Sequence, residues 1–182
     1  AAVGRLTLGE INELLSRSSS GPTQTKVPTL DEVFDRLSPS LLIDVELKVR
    51  GPGVNALLSR VVDAVRRFGR FDSTLVTSYN PVALWLLRKT EPRIPRGYVW
   101  GRSHPWPLRA RWVSTAPNAQ WSAPSQNSLD TELLERCHRL GRGVLAWDVD
   151  VVGDLDRFVE AGLDAIETDD PASLVDRRKK GA

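Results

Sequence analysis

The stretch LLIDVELKVRGPGVNALLSRVVDAVRRF, residues 41–68, decides the fold. In its first part Ile43, Val45 and Leu47 share one parity, and Asp44, Glu46 and Lys48 share the other. Strand side chains alternate between faces, so this reads as a strand with one apolar and one charged side. Gly51-Pro52-Gly53 then interrupts the chain. From there the spacing changes: Val54, Leu57, Leu58, Val61, Val62, Val65 and Phe68 fall on one helical stripe. Strand, break and amphipathic helix make a βα unit. The charged face of the strand leaves two readings open, an edge with a Glu–Lys pair in water or the wall of a barrel lumen.

The unit recurs along the chain. TLVTS (74–78) reads as a buried strand, and Asn80-Pro81 as an N-cap with proline in the first turn of a helix that runs to about Thr90. GYVWG (97–101) and GVLAWDV (143–149) read as strands, 152–161 as a helix ended by Gly162, and DAIETD (164–169) as a last strand. Leu129, Leu133, Leu134, Cys137 and Leu140 mark a further helix closed by Gly141. Near the start, Thr7 with Glu10 and Thr29 with Glu32 form capping boxes, the first opening a short helix through Leu15 and the second a helix carrying Leu30, Val33, Phe34 and Leu37. Residues 16–26 read as a loop, 102–128 as an irregular Pro-, Ser- and Trp-rich insertion with short strands near 111–114 and 120–123, and 176–182 as a solvated basic tail. One partial domain over 1–182 is expected. Strands alternating with helices give the α/β class, with a parallel sheet wound as a TIM-type (β/α) barrel or as a doubly wound sheet.

Composition excludes several classes. Charged residues are 26% and hydrophobic ones 41%, ordinary values for a globular chain, and the formal net charge of +2 gives no global field toward nucleic acid or membrane. One cysteine, Cys137, forbids an intrachain disulfide, and its place among leucines suggests a buried thiol. No transmembrane run is expected. The chain starts without Met and with no signal-like stretch, so compartment is left open with a cytoplasmic setting as the default.

In parallel α/β folds the site lies at the carboxyl ends of the strands. Those ends carry Glu46 and Lys48, Ser78 with Asn80, Trp147 with Asp148 and Asp150, and Thr168 with Asp169. Asn80 is already explained as a cap. If the charged side of residues 41–48 faces a lumen, Glu46 and Lys48 stand at its mouth, where a carboxylate beside an ammonium suits an oxyanion held by a hard cation.

PTLDEVFDRL, LLIDVELK, VTSYNP, GVLAWDVD and AGLDAIETDDP, in that order, resemble the glycerophosphodiester phosphodiesterase family. The family pattern has a P-T-L-x-E helix, an E-L-K strand, an S-F-[DN]-P turn, a W-T-V-N strand and a D-G-I-x-T-D-x-P terminus. The resemblance runs from about Leu6 to Pro171 and implies a TIM-type barrel. It also implies hydrolysis of a glycerophosphodiester to glycerol 3-phosphate and an alcohol, with a divalent cation, Mg²⁺ or Ca²⁺. On this resemblance Glu46 matches a metal ligand, Lys48 a basic residue near the phosphate, and Trp147 a tryptophan flanking the glycerol.

There are departures. Asp148 and Asp150 replace the usual Thr and Asn, Tyr79 replaces Phe, and Ala165 replaces Gly. The family's H-R-G strand, E-x-D strand and H-D pair have no counterpart in these 182 residues, whose only histidines are His104 and His138. The chain alone is therefore expected to hold an incomplete metal site, to be inactive or nearly so, and to form an unclosed barrel, since a complete one takes roughly 250 residues. It reads as the C-terminal portion of a larger enzyme or as a degenerate relative. Two alternatives stay open: a non-catalytic binding module of the same fold, and a single-stranded nucleic-acid binder using arginines 93–111 between tryptophans. The leading reading involves no nucleic acid and leaves the oligomeric state open.

Overall fold

The computed structural model describes residues 3–18, 26–49, 53–101, 119–147, 149 and 155–172. The chain forms two compact units, Ala1–Leu41 and Leu42–Ala182.

In the first unit a 3₁₀ turn at Val3–Arg5 precedes α1 (Leu8–Ser18), and α2 spans Leu30–Arg36. Both expected capping boxes form. The Thr29 hydroxyl accepts from Glu32 N–H at 3.2 Å while the Glu32 carboxylate accepts from Thr29 N–H at 2.7 Å. Thr7 and Glu10 repeat the exchange at 3.3 and 2.7 Å. The backbone and hydroxyl donors of the two threonines hold the Glu10 and Glu32 carboxyls below their usual range. Val27 N–H donates to Asn12 Oδ1 at 2.8 Å, fastening the approach to α2 onto α1. Helix α1 runs three residues past the expected end at Leu15, into the stretch read as loop.

The second unit is a six-stranded parallel sheet: β1 (Ile43–Glu46), β2 (Thr74–Ser78), β3 (Arg96–Trp100), β4 (Trp121–Pro124), β5 (Gly143–Ala146) and β6 (Ala165–Ile166). Spatial order follows chain order from β1 to β6, and every neighbouring pair is parallel. A doubly wound sheet would reverse direction at a switch point. Uninterrupted progression is that of a barrel, here an open one, with β1 and β6 as its edges among the described residues. The crossovers include α3 (Val54–Phe68), α4 (Pro81–Thr90), α5 (Thr131–Arg139) and α6 (Leu155–Glu160).

Sequence explains the helix ends. Asn80 Oδ1 accepts from Val82 N–H at 3.0 Å with Pro81 behind it, and Asp130 Oδ1 accepts from Leu133 N–H at 2.7 Å. Gly69, at φ 63°, closes α3 in a left-handed turn that lets Arg70 N–H reach Val65 O at 3.0 Å. Helix α3 buries Val54, Leu58, Val61, Val62, Ala64 and Val65, whereas Leu57, counted in the expected stripe, is 41% exposed. It sits on one flank of the buried arc, two turns before Ala64, which is buried on the same flank. Behind β3–β5, Leu133, Leu134 and Cys137 of α5 pack with Tyr98, Trp100, Val144 and Ala146. Burial raises the Cys137 thiol above its usual range, as expected for an inert core cysteine.

Strand β4 falls inside the stretch read as irregular, at one of the two short strands expected there; residues 111–114 lie outside the described residues. The last strand is shorter than the expected 164–169.

Candidate functional site

The pairing register sorts the sheet into two faces. Asp44 lies beside Leu75, and Glu46 beside Thr77; Thr77 lies beside Gly97, Gly97 beside Trp121, Trp121 beside Gly143, and Leu145 beside Ala165. These are the concave positions. The alternate ones, Val76, Tyr98, Ser122, Val144 and Ala146, are buried toward the helices. The charged parity of residues 44–48 therefore belongs to the lumen, which answers the question its alternation posed.

One large bulky side chain fills the lumen floor. A Cβ at Gly143 would lie 2.7 Å from ring atoms of Trp121, and one at Gly97 would lie 3.4 Å from the Trp121 Cβ and 2.8 Å from Thr77 Cγ2. Glycines on both neighbouring strands give the indole its room. Toward β1 and β6 the lumen stays open as a trough of about 550 Å³, lined by Leu75, Trp121 and Leu145 and by the carboxylates of Asp44, Glu46 and Glu167.

The acidic side of this trough has a distinct electrostatic character. Thr77 Oγ1 donates to Asp44 Oδ2 at 3.1 Å. Burial nevertheless raises the Asp44 carboxyl to about 6, the Thr77 bond opposing and the negative charges of Glu167 and Glu46 adding to the rise. The open side of the trough keeps Asp44 in contact with solvent, which screens part of this repulsion. Glu46, the last residue of β1, has its side chain 29% exposed and stands 3.2 Å from Lys48 Nζ. Lys48 itself is 74% exposed, so its ammonium is at the rim.

Trp147 sits where β5 ends. Its Nε1–H donates to Ala123 O at 2.8 Å, its N–H donates to Pro124 O at 3.1 Å, and its carbonyl accepts from Gln126 N–H at 3.0 Å. The indole thus reaches across the carboxyl end of β4.

Other candidates have structural duties. The Ser78 hydroxyl, fully buried, donates to Leu47 O at 2.7 Å and accepts from Asn80 N–H at 3.1 Å, tying the ends of β1 and β2 together. Thr168 Oγ1 accepts from Asp170 N–H at 3.1 Å in a local turn. His138 lies at the other end of the sheet, its Nε2 2.9 Å from Asp164 Oδ2, which also accepts from Val144 N–H at 2.8 Å. His104, Asp148 and Asp150 lie outside the described residues. So do most of the arginines and tryptophans suggested for nucleic acid. Of the rest, Arg93 is bound to Glu91, Arg96 and Trp100 are buried, and Trp121 is in the lumen.

Asp44 and Glu167 were not singled out from sequence as site residues. Strand parity carried the signal for both: Asp44 shares it with Glu46, and Glu167 follows Ala165 at a two-residue step. The sequence places Trp121 among the tryptophans of the irregular insertion; only the glycines opposite it on β3 and β5 mark it as a lumen residue.

Comparison with known proteins agrees with this fold. A glycerophosphodiester phosphodiesterase of Caldanaerobacter subterraneus subsp. tengcongensis is 28% identical over 96% of this chain and 72% of its own length. The Bacillus subtilis protein YqiK is 28% identical over 80% of this chain, which spans 60% of it. Among solved structures, an Oleispira antarctica phosphodiesterase in complex with the product sn-glycerol-3-phosphate superposes with a TM-score of 0.73 at 22% identity, over 86% of this chain and 63% of its own. A glycerophosphodiester phosphodiesterase from Thermotoga maritima gives 0.69 at 18% identity, over 93% and 69%. These two likenesses establish the fold, a TIM-type barrel of which this chain forms six strands. The model of the glycerophosphoryl diester phosphodiesterase family matches residues 1–173, and the chain belongs to that family.

Proposed function

We propose that this chain contributes the carboxyl-end wall of a metal-dependent hydrolase that converts a glycerophosphodiester and water into glycerol 3-phosphate and an alcohol. In this reading Glu46 is a carboxylate ligand to a divalent cation, Mg²⁺ or Ca²⁺, Lys48 faces the phosphate oxygens, and Trp147 flanks the glycerol. The observation that carries it is the position of Glu46: lumen side, last residue of β1, 3.2 Å from an ammonium at the rim, in a member of this family. A phosphate oxyanion entering there would meet the exposed ammonium of Lys48 at the rim.

The residues in hand do not complete a cation site. A hard divalent cation takes six or more oxygen ligands. Among the described residues no three His, Cys, Asp or Glu side chains stand close enough to hold a metal ion. Neither histidine of the chain is assigned a proton-transfer role, His138 being engaged with Asp164 at the opposite end of the sheet. No catalytic step is therefore assigned to these 182 residues, and alone they are expected to be inactive or nearly so.

The test is choline release from glycerophosphocholine by the native full-length protein with Mg²⁺ or Ca²⁺. Release abolished by Glu46→Ala is the expected result; release indifferent to that substitution, or to chelation, removes the reading. The position of His138 favours a second reading, a binding module of the same fold that retains Lys48 and Trp147. It predicts sn-glycerol 3-phosphate binding by the native protein without any choline release.

A further inference from the structure

Gly101 directly follows β3, two strands away from Trp147. A Cβ built there would lie 3.0 Å from Ser125 Oγ, 3.3 Å from Ser125 Cβ and 3.6 Å from Cζ2 of Trp147. Ser125 has little freedom to retreat. Its N–H donates to Trp100 O at 2.9 Å, and its hydroxyl is 3.0 Å from that of Ser128. The same edge of the indole is fixed by the bond from its Nε1–H to Ala123 O. Backbone bonds on both sides of Trp147 tie it to Pro124 and Gln126, the residues flanking Ser125.

We propose that Gly101 is a positioning residue for Trp147, its bare backbone letting the indole span the carboxyl ends of β4 and β3. This rests on the reading of Trp147 as the glycerol-flanking residue and adds what that contact must be. The one polar hydrogen of the indole is consumed by Ala123 O, so the ring meets a ligand through its π face and C–H edge. What it recognises is a hydrocarbon surface, such as the C–H face of a small polyol phosphate, and no hydrogen-bond acceptor on the ligand is served by it. A Cβ at position 101 crowds Ser125 and meets the ring at an ordinary contact distance, so it takes a branched side chain to push the ring itself.

The experiment uses the native protein and two readouts. One is the Trp147 Nε1–H resonance in ¹⁵N-edited spectra, assigned with Trp147→Phe. The other is calorimetric affinity for sn-glycerol 3-phosphate in the presence of Mg²⁺. Gly101→Val is expected to shift the indole resonance and weaken affinity about tenfold, a change on the order of one decade in Kd. Gly101→Ala should produce a smaller shift of the same resonance and decides the matter if the valine variant does not fold. Combining Gly101→Ala with Ser125→Gly, which removes the nearest atoms, should restore both readouts. An unmoved indole resonance in the Gly101 variants, or a loss of affinity that Ser125→Gly does not repair, overturns the proposal. If the resonance moves as expected but Trp147→Phe and Trp147→Ala leave affinity unchanged, the positioning stands and the glycerol-flanking role of Trp147 falls.

Discussion

The amino-end rim of the sheet and the interior of its lumen carry the same kinds of charged residue and treat them in opposite ways. At the amino ends, Glu91 is 4% exposed and bound by Arg93 Nε at 2.8 Å, Arg93 Nη2 at 3.0 Å and Arg66 Nε at 3.0 Å. Hydrogen bonds from Arg93, then Arg66, hold its carboxyl down to about 2 against the opposing effect of burial. The Arg93 guanidinium also lies 3.9 Å from the centroid of the Phe71 ring. Within the lumen, Asp44, Glu46 and Glu167 face one trough that runs back to Asp72, Ser73 and Pro95 beside the strand starts, and Asp44 rises to about 6. Negative charge is neutralised locally around Glu91 and left to accumulate within the lumen. The first arrangement serves stability; of the second group, Glu46 and Glu167 lie at the carboxyl ends of β1 and β6, where barrels take their ligands.

The contrast breaks most readily at Glu91. Glu91→Ala leaves two guanidinium groups without their shared carboxylate and should cost about 2 kcal/mol in urea denaturation at pH 7, less than a wholly buried pair because both arginines keep solvent contact. Its pH dependence has a definite sign. A carboxyl depressed when folded stabilises above its unfolded pKa of about 4.5, and that stability disappears as pH falls from there toward 2. Ligand affinity should be unaffected, and a variant that loses affinity without losing stability would dissolve the distinction between rim and lumen.

Asp44 should behave in the reverse sense. A carboxyl raised when folded destabilises once it ionises, so its cost is absent below about 4 and grows as pH rises through 6. Asp44→Asn keeps an acceptor for Thr77 and removes the charge. It should stabilise by about 1 kcal/mol at pH 7.5, a figure reduced for the solvent-open side of the trough, and by nothing at pH 4. Equal effects at both pH values would show that the Asp44 carboxyl is not raised in the folded protein. The smallest effect belongs to Lys48→Ala: its exposed pair with Glu46 should be worth about 0.3 kcal/mol in thermal denaturation, and a loss above about 1 kcal/mol would make it a structural strut rather than a rim group.

Much of this was legible in the residues. The capping boxes at Thr7 and Thr29, the Asn80 cap, the α3 stripe and the strand at 43–46 depend on contacts within a few positions, which local spacing encodes. Glu46, Lys48 and Trp147 fell on the expected end of the sheet for the same reason, being strand termini. Leu57 departed because a helical stripe specifies an arc of the helix and leaves open how far the neighbouring layer covers it.

Parity along 41–48 determined by itself that three charges share one face, and the alternation of strands and helices determined a parallel sheet. Tertiary structure alone decided that this face is concave, that Glu167 joins Asp44 and Glu46 from a strand more than a hundred residues away, and that Trp121 fills the floor between Gly97 and Gly143. The physical reason is range. Backbone geometry fixes which way a side chain points relative to its neighbours in sequence, but which strand stands opposite is set by sheet curvature and register, and those are properties of the packed whole.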